Sequence, residues 1–346
     1  PPVDASGPFG YLAEKASTNL MLQSQAISTS PWGPNLTATT INATTAPDGT
    51  TTADKLGDDG AGGAGALTNY QLITILSGTS TVSIYAKADQ LNFLWVESSG
   101  FDVGANGTTW FNLLTAAAAT TASQHTVAVE QFPNGWVRCS ITFTTTTDLA
   151  GILWFGIGTS DGLKNSDRDG TSSIYLWGAQ AELGTYPTSY IATTTTAVLR
   201  NADILIAGDM VTNAAGSAYA EASSIWSTTS SAANMALARD GNGTIRLIAG
   251  TSSTSFYSYA ASSPYPNSPV GVSYQNRPSA AATTWGNNHI VYKDGVGGSA
   301  VVYNGTFGTG NLGIGNTNTG SYHWDGTVRE VKIFDSELTA AEVGDL

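Results

Sequence analysis

Apolar and polar residues alternate with period two in short runs along most of the chain, and Gly, Asn, Asp and Pro bound those runs. In an extended backbone that period sends successive side chains to opposite faces, so it predicts antiparallel strands with one dry face. In the run from Thr81 to Ala88, Val82, Ile84 and Ala86 fall on one face and Ser83, Tyr85 and Lys87 on the other. After the turn Pro133-Asn134-Gly135, Val137, Cys139, Ile141 and Phe143 are expected inside, with Trp136, Arg138, Ser140 and Thr142 outside. The runs 152–157 and 174–177 are apolar on both faces, as in central strands covered on both sides or at a domain contact; they are read as mid-sheet, with Trp154 and Trp177 as core candidates. Helical periodicity is nearly missing. Its one good signal is at the C-terminus, where Thr339 and Glu342 have the spacing of a capping box ahead of a short surface helix.

The alternation breaks around residues 192–215, first at the threonine run 193–196 and then in the loop-like stretch 208–216. A boundary near residue 200 divides the 346 residues into two pieces, each of ordinary sandwich size. The expected fold class is therefore all-β: two consecutive antiparallel β-sandwiches, at residues 21–200 and 201–346, after an N-terminal connecting segment at 1–20. In the second, 282–285, the loop Gly286-Asn287-Asn288, 289–292 and the turn Lys293-Asp294-Gly295 read as a meander.

Charge narrows the partners. Thirteen Lys plus Arg against 26 Asp plus Glu give a formal net charge of -13, and the basic residues stand singly. Nucleic acid and anionic membrane are excluded as expected partners, since both need clustered positive charge. The single cysteine, Cys139, cannot form an intramolecular disulfide or a cysteine-based metal site. No run approaches the ~18 apolar residues of a membrane-spanning helix, and the first residues lack the basic start and apolar run of a signal peptide. Five Asn-x-Ser/Thr sequons, at Asn35, Asn42, Asn106, Asn242 and Asn304, are what chance supplies in so threonine-rich a chain.

No catalytic set emerges. Gly158-Thr159-Ser160-Asp161-Gly162 matches G-x-S-x-G, but a nucleophile elbow needs a helix directly after the serine, and a polar loop follows here, so a Gly-rich hairpin turn is expected. Two G-x-G-x-x-G matches, starting at Gly60 and Gly308, open no helix that could face a pyrophosphate. A glycan-cleaving site requires two facing carboxylates, and E-x-D-x-x-E is absent, while Glu330 and Asp335 stand at an odd spacing. His125, His289 and His323 are too scattered for a metal set and read as surface or loop residues. Asn165-x-Asp167-x-Asp169-Gly170 resembles the first half of a calcium loop, although Leu176 stands where an EF-hand has its bidentate glutamate. Asn165, Asp167 and Asp169 are thus candidate ligands of a structural Ca²⁺ in a sandwich loop, or simply an Asx-rich turn. Tyr257 and Tyr259 share a strand face opposite Phe256, and Tyr265 lies between Pro264 and Pro266, so these three tyrosines are candidates for stacking on sugar rings, or the wetted face of a sheet.

Several segments carry a resemblance in family order: GYLAEKASTNL from Gly10, PDGTTTADKL from Pro47, TVSIYAKA from Thr81, NGWVRCSITFT from Asn134 and IYLWGAQAELGTYPTSYI from Ile174. Together they resemble modular structural proteins of tailed phages and prophages, found in tail fibres, head fibres and spikes. For about residues 8–206 the resemblance implies a jelly-roll sandwich similar to carbohydrate-binding modules. Residues 217–346 resemble the concanavalin A-like, laminin-G-like sandwich through AYAE at Ala218, TWGNNH at Thr284, and DGTVREVKIF at Asp325 with LTAAE at Leu338. The resemblance implies a non-enzymatic virion surface protein: a fibre, spike or capsid decoration assembled with other virion proteins, a homo-oligomer with a trimer favoured, attaching to host cell-surface glycans. The alternative expectation is a carbohydrate-binding module pair cut from a secreted polysaccharide-degrading enzyme.

Overall fold

The structure, a computed structural model, describes residues 10–208, 215–224, 235–239, 245–249, 255–260, 266, 268, 278–303, 310–316 and 323–346. Its chain divides into two compact units, Ser17–Arg200 and residues 10–16 together with Asn201–Leu346.

Eight strands build the first unit: β1 (Ala53–Asp58), β2 (Thr68–Ile75), β3 (Gly78–Ala88), β4 (Phe93–Ser99), β5 (Gly107–Asn112), β6 (Trp136–Thr145), β7 (Leu149–Gly158) and β8 (Ser173–Leu183). They pair antiparallel in two sheets, ordered β1-β8-β3-β6 and β2-β7-β4-β5. Consecutive strands mostly cross from one sheet to the other, which is the strand order of a jelly roll. Edge strands extend both sheets, Thr37–Thr44 and Thr126–Gln131 on the first, Gly33–Asn35 and Ala117–Ala118 on the second.

The expected inward residues do meet between the sheets. Val82, Ile84 and Ala86 of β3 and Val137, Cys139, Ile141 and Phe143 of β6 are buried against Leu94, Val96, Leu153, Phe155 and Ile157 of the opposite sheet. Burial pushes the Cys139 thiol far up, so the residue is an inert core hydrophobe. As expected, the doubly apolar strands β7 and β8 lie mid-sheet.

The outward expectations for β3 and β6 need correction. Tyr85, Trp136 and Arg138 face away from the core but are buried, because other chain segments cover that face. The stretch 1–20, read as a connector, carries short strands in its described part. Tyr11–Ala13 pairs with Gly326–Phe334 of the second unit, and Ser17–Asn19 pairs with Val198–Arg200 of the first. Asp203 and Asp325 hold this stretch by accepting from the backbone N–H groups of Glu14 and Lys15, both at 3.0 Å. Strands of three residues are too short to show a period, so the alternation gave no warning.

The second unit is also a pair of antiparallel sheets. One runs Tyr11–Ala13, Gly326–Phe334, Gly216–Ser224, Ser279–Trp285, Asn288–Lys293, Val296–Gly297, with Val301–Val302 also paired to Asn288–Lys293. The other runs Leu205–Ala207, Leu312–Ile314, Met235–Arg239, Ile245–Ala249, Phe256–Ala260. The expected meander is present. Trp324 ties the sheets together by stacking on Phe256 at 6.0 Å and donating its Nε1–H to the Ser223 carbonyl at 2.8 Å. The capping box is also present: Thr339 and Glu342 exchange hydrogen bonds at the start of Ala340–Gly344, the single α-helix among the described residues.

Two of the histidines read as surface or loop residues are buried instead. His125 bridges Ser98 and Thr109, each at 2.9 Å. His289 contacts Ser258 and Thr283 through Nε2 at 3.0 and 3.1 Å, which joins the two sheets of the second unit. Hydroxyl partners lower the expense of burying a neutral imidazole, at both nitrogens of His125 and at Nε2 of His289.

Candidate functional site

The outer face of the β2-β7-β4-β5 sheet turns away from the core, yet it is lined with large side chains. Register puts Gly33, Tyr70, Trp154, Glu97 and Thr108 in one row across the edge strand, β2, β7, β4 and β5. With strands ~4.8 Å apart, the row from Tyr70 to Thr108 spans roughly 14 Å.

Each member is held in place. Tyr70 lies across Gly33, where an added Cβ would stand 2.4 Å from the phenol ring, so only glycine admits this position of the ring. Trp154 packs on Tyr70 with ring centroids 4.5 Å apart and planes at 40°. Its Nε1–H donates sideways to Ser99 Oγ on β4 at 3.0 Å, so the indole is fixed and still half-exposed. Glu97, next in the row, accepts from Thr108 Oγ1 at 2.9 Å and is ion-paired with Lys164. Leu72, one step along β2, is 67% exposed beside half-buried Ile152. The result is a rigid aromatic platform ending in a carboxylate, an ammonium and a hydroxyl. Such a surface offers ring faces to the C–H groups of a sugar and a mixed donor–acceptor set to its hydroxyls.

Trp154 was expected in the core, and the structure corrects this. A mid-sheet strand packs its inner residues, here Leu153, Phe155 and Ile157, against the other sheet, whereas the outer ones need a cover that Trp154 does not have. Tyr70, Glu97, Ser99 and Thr108 were not singled out from the sequence, because they come together only through cross-strand register. Alternation gave no usable signal: in TNYQLITI the inner phase carries polar Asn69 and Gln71 beside Ile73 and Ile75, so Tyr70 and Leu72 do not stand out as facing outward.

The residues chosen from the sequence are placed elsewhere. Asn165 and Asp167 lie exposed on Asn165–Asp167, a short strand paired with Ala64–Ala66. Asp169 accepts from the N–H and hydroxyl of Thr171 at 3.0 and 2.7 Å, and these bonds hold its carboxyl below the usual carboxylate range. Asn165 and Asp167 thus lie on an extended ladder and Asp169 in an Asx turn, and no group of three or more His, Cys, Asp or Glu stands together among the described residues. The nearby carboxylate with several partners is Asp58, which takes the N–H groups of Gly60, Gly170 and Ser172 and so ties two loops together. Tyr257 and Tyr259 occupy alternate positions of the edge strand Phe256–Ala260, between buried Phe256 and Ser258. Their side chains, and the whole of Tyr265, lie outside the described residues. The G-x-S-x-G match is a turn, closed by a Ser160–Leu163 bridge with Gly162 at a φ of 75°.

Fold and face together define a jelly-roll β-sandwich that displays an aromatic platform on one sheet. No family model matches the chain, and no curated protein matches it. Among solved structures it is similar to Domain 4 of AbnA, a GH43 extracellular arabinanase from Geobacillus stearothermophilus, in complex with arabinotriose. The identity is 17% over 43% of this chain and 72% of that one, with a TM-score of 0.32, a likeness too low to bear on what this chain binds.

Proposed function

We propose that this is a non-enzymatic glycan-binding protein, whose first sandwich holds a short stretch of oligosaccharide across Tyr70 and Trp154. The observation that carries this reading is that fixed ring pair beside Glu97, Thr108 and Lys164 on an otherwise charge-poor molecule. Electrostatic capture is not what a chain of net charge -13 with scattered cations offers, whereas stacking with hydroxyl hydrogen bonds is. On the resemblance drawn from the sequence, the protein belongs on a virion surface, as a fibre, spike or capsid decoration that touches host-cell glycans. There, weak single sites act together, and multivalency raises avidity by roughly 10² to 10⁴.

The test is a glycan array and whole-cell binding with the full chain displayed multivalently. It runs beside a Tyr70→Ala/Trp154→Ala variant and, for the second sandwich, a Tyr257→Ala/Tyr259→Ala/Tyr265→Ala variant. Loss of about tenfold or more in affinity in the first variant supports the reading, since tenfold is 1.4 kcal/mol. Binding that survives it and fails in the second moves the site to the second sandwich. Binding to neither glycans nor cells leaves a purely structural role. Recognition of purified plant or microbial polysaccharides without recognition of cells would favour a module of a secreted polysaccharide-degrading enzyme.

A further inference from the structure

We propose that residues 159–164 form a latched strap over a second stacking subsite, made by Trp95 and Trp110, that takes the next ring of the same neutral glycan. This rests on the glycan reading of the open row.

One step along the same outer face, register aligns Thr68, Gly156, Trp95 and Trp110 on β2, β7, β4 and β5. Trp95 lies flat on Gly156, where an added Cβ would stand 2.2 Å from the indole, and its Nε1–H donates to the Ile157 carbonyl at 3.1 Å. Both tryptophans sit on a face that points away from the core, yet Trp95 is only 2% exposed and Trp110 8%. The strap leaves β7 at Gly158, turns at Gly162 and is fastened at two places. Asp161 accepts from the N–H and hydroxyl of Thr120 at 2.8 and 2.9 Å, and Thr120 in turn takes the backbone N–H of Trp110 at 2.8 Å. At the other end Lys164 pairs with Glu97 and sets its ammonium 4.6 Å from the centre of the Trp95 ring.

Three observations assign a ligand to the covered row. The ammonium occupies the ring face on which a sugar would stack. Trp110 Nε1 and Thr68 Oγ1 are buried without a hydrogen-bond partner in the chain, a condition that native structures rarely leave unanswered. Separate hydroxyls of the bound glycan would accept from the first and donate to the second. Finally, the fastenings are partly exposed contacts of the kind that contribute little to stability, and Leu163 at the tip is 57% exposed, so the strap has no apolar anchor there.

The experiment maps N-bromosuccinimide oxidation of the full chain by mass spectrometry, with half-buried Trp154 as the control. In the unmodified protein Trp154 reacts and Trp95 does not. In an Asp161→Ala variant, which releases the Thr120 fastening and keeps Lys164 of the open row, oxidation of Trp95 rises about tenfold as the open state gains population. High salt, which screens the ion pair, moves the unmodified protein in the same direction, so the result does not depend on how well the variant folds. The same variant binds the longer of the linear neutral oligosaccharides found on the array about threefold tighter or better, and adding Trp95→Ala removes the gain. Trp95 that stays protected in both arms overturns the strap. Trp95 that opens without a gain in affinity overturns the subsite and leaves the Tyr70–Trp154 row standing. Failure of every neutral oligosaccharide to bind the unmodified protein defeats the glycan reading itself, and the subsite with it, whatever the oxidation pattern.

Discussion

The two outer faces of the first sandwich carry similar aromatic side chains and treat them in opposite ways. On the β1-β8-β3-β6 sheet, Tyr85 touches Phe132 and Trp177 at 5.0 and 5.3 Å, and Tyr190 closes over Trp177 at 4.4 Å. The indoles there donate into the segment that covers them, Trp136 to the Thr45 carbonyl and Trp177 to Thr52 Oγ1, both at 3.0 Å. Buried Glu182 fastens the cover by accepting from Ser17 and from the N–H and hydroxyl of Thr188. On the β2-β7-β4-β5 sheet, Trp154 donates instead to Ser99 on the neighbouring strand, within its own sheet, and is only half-buried. Aromatic content does not separate a second core from a binding face. What separates them is whether a distant segment folds over the ring, since Trp95 donates along its own sheet as Trp154 does and is nevertheless buried.

The largest effect that would break this comparison is on stability. Trp177→Ala should lower unfolding free energy in urea by about 3–5 kcal/mol, as large-to-small changes in a packed cluster do. Trp154→Ala should cost less, about 1–2 kcal/mol, because its ring packs on Tyr70 but is only half-buried. Equal losses would mean that the two faces are alike.

Sealing also has a titration signature, clearest in the second sandwich. Burial holds His289 at about 4, well below the ordinary imidazole range, so the unfolded chain binds its proton first. Stability from keeping this ring neutral is therefore complete above about pH 6.5 and is lost as pH falls toward 4, on the order of 3 kcal/mol in all. Thermal melts between pH 7.5 and 4.5 should show the loss, and His289→Gln should flatten it relative to the parent chain. Buried His125 is displaced in the same direction, mainly by desolvation. A slope unchanged by His289→Gln would show that the site is wetter than its packing.

The smallest effect concerns the cover itself. Tyr190 shares a hydrogen bond of 2.5 Å with Ser24 Oγ, and Tyr190→Phe should cost about 1 kcal/mol with the ring stack intact. A loss several times larger would mean that the hydroxyl, and not the stacking, closes that face.

The sequence by itself determined what depends on local period and turn chemistry. Alternation placed Val82, Ile84 and Ala86 and the Val137-to-Phe143 set inside, continuous apolarity put β7 and β8 mid-sheet, and the capping box located the C-terminal helix. These signals are legible because strand geometry and cap hydrogen bonds involve residues only a few positions apart. What lies beyond that range was decided by the tertiary structure. Tyr70, Trp154, Glu97 and Thr108 are separated by up to 84 positions and become one row only when four strands come into register. Whether an outward tryptophan is buried, as Trp177 is, or half-exposed, as Trp154 is, depends on which distant segment folds over it, and the period of a strand names the face of a residue without naming what covers that face.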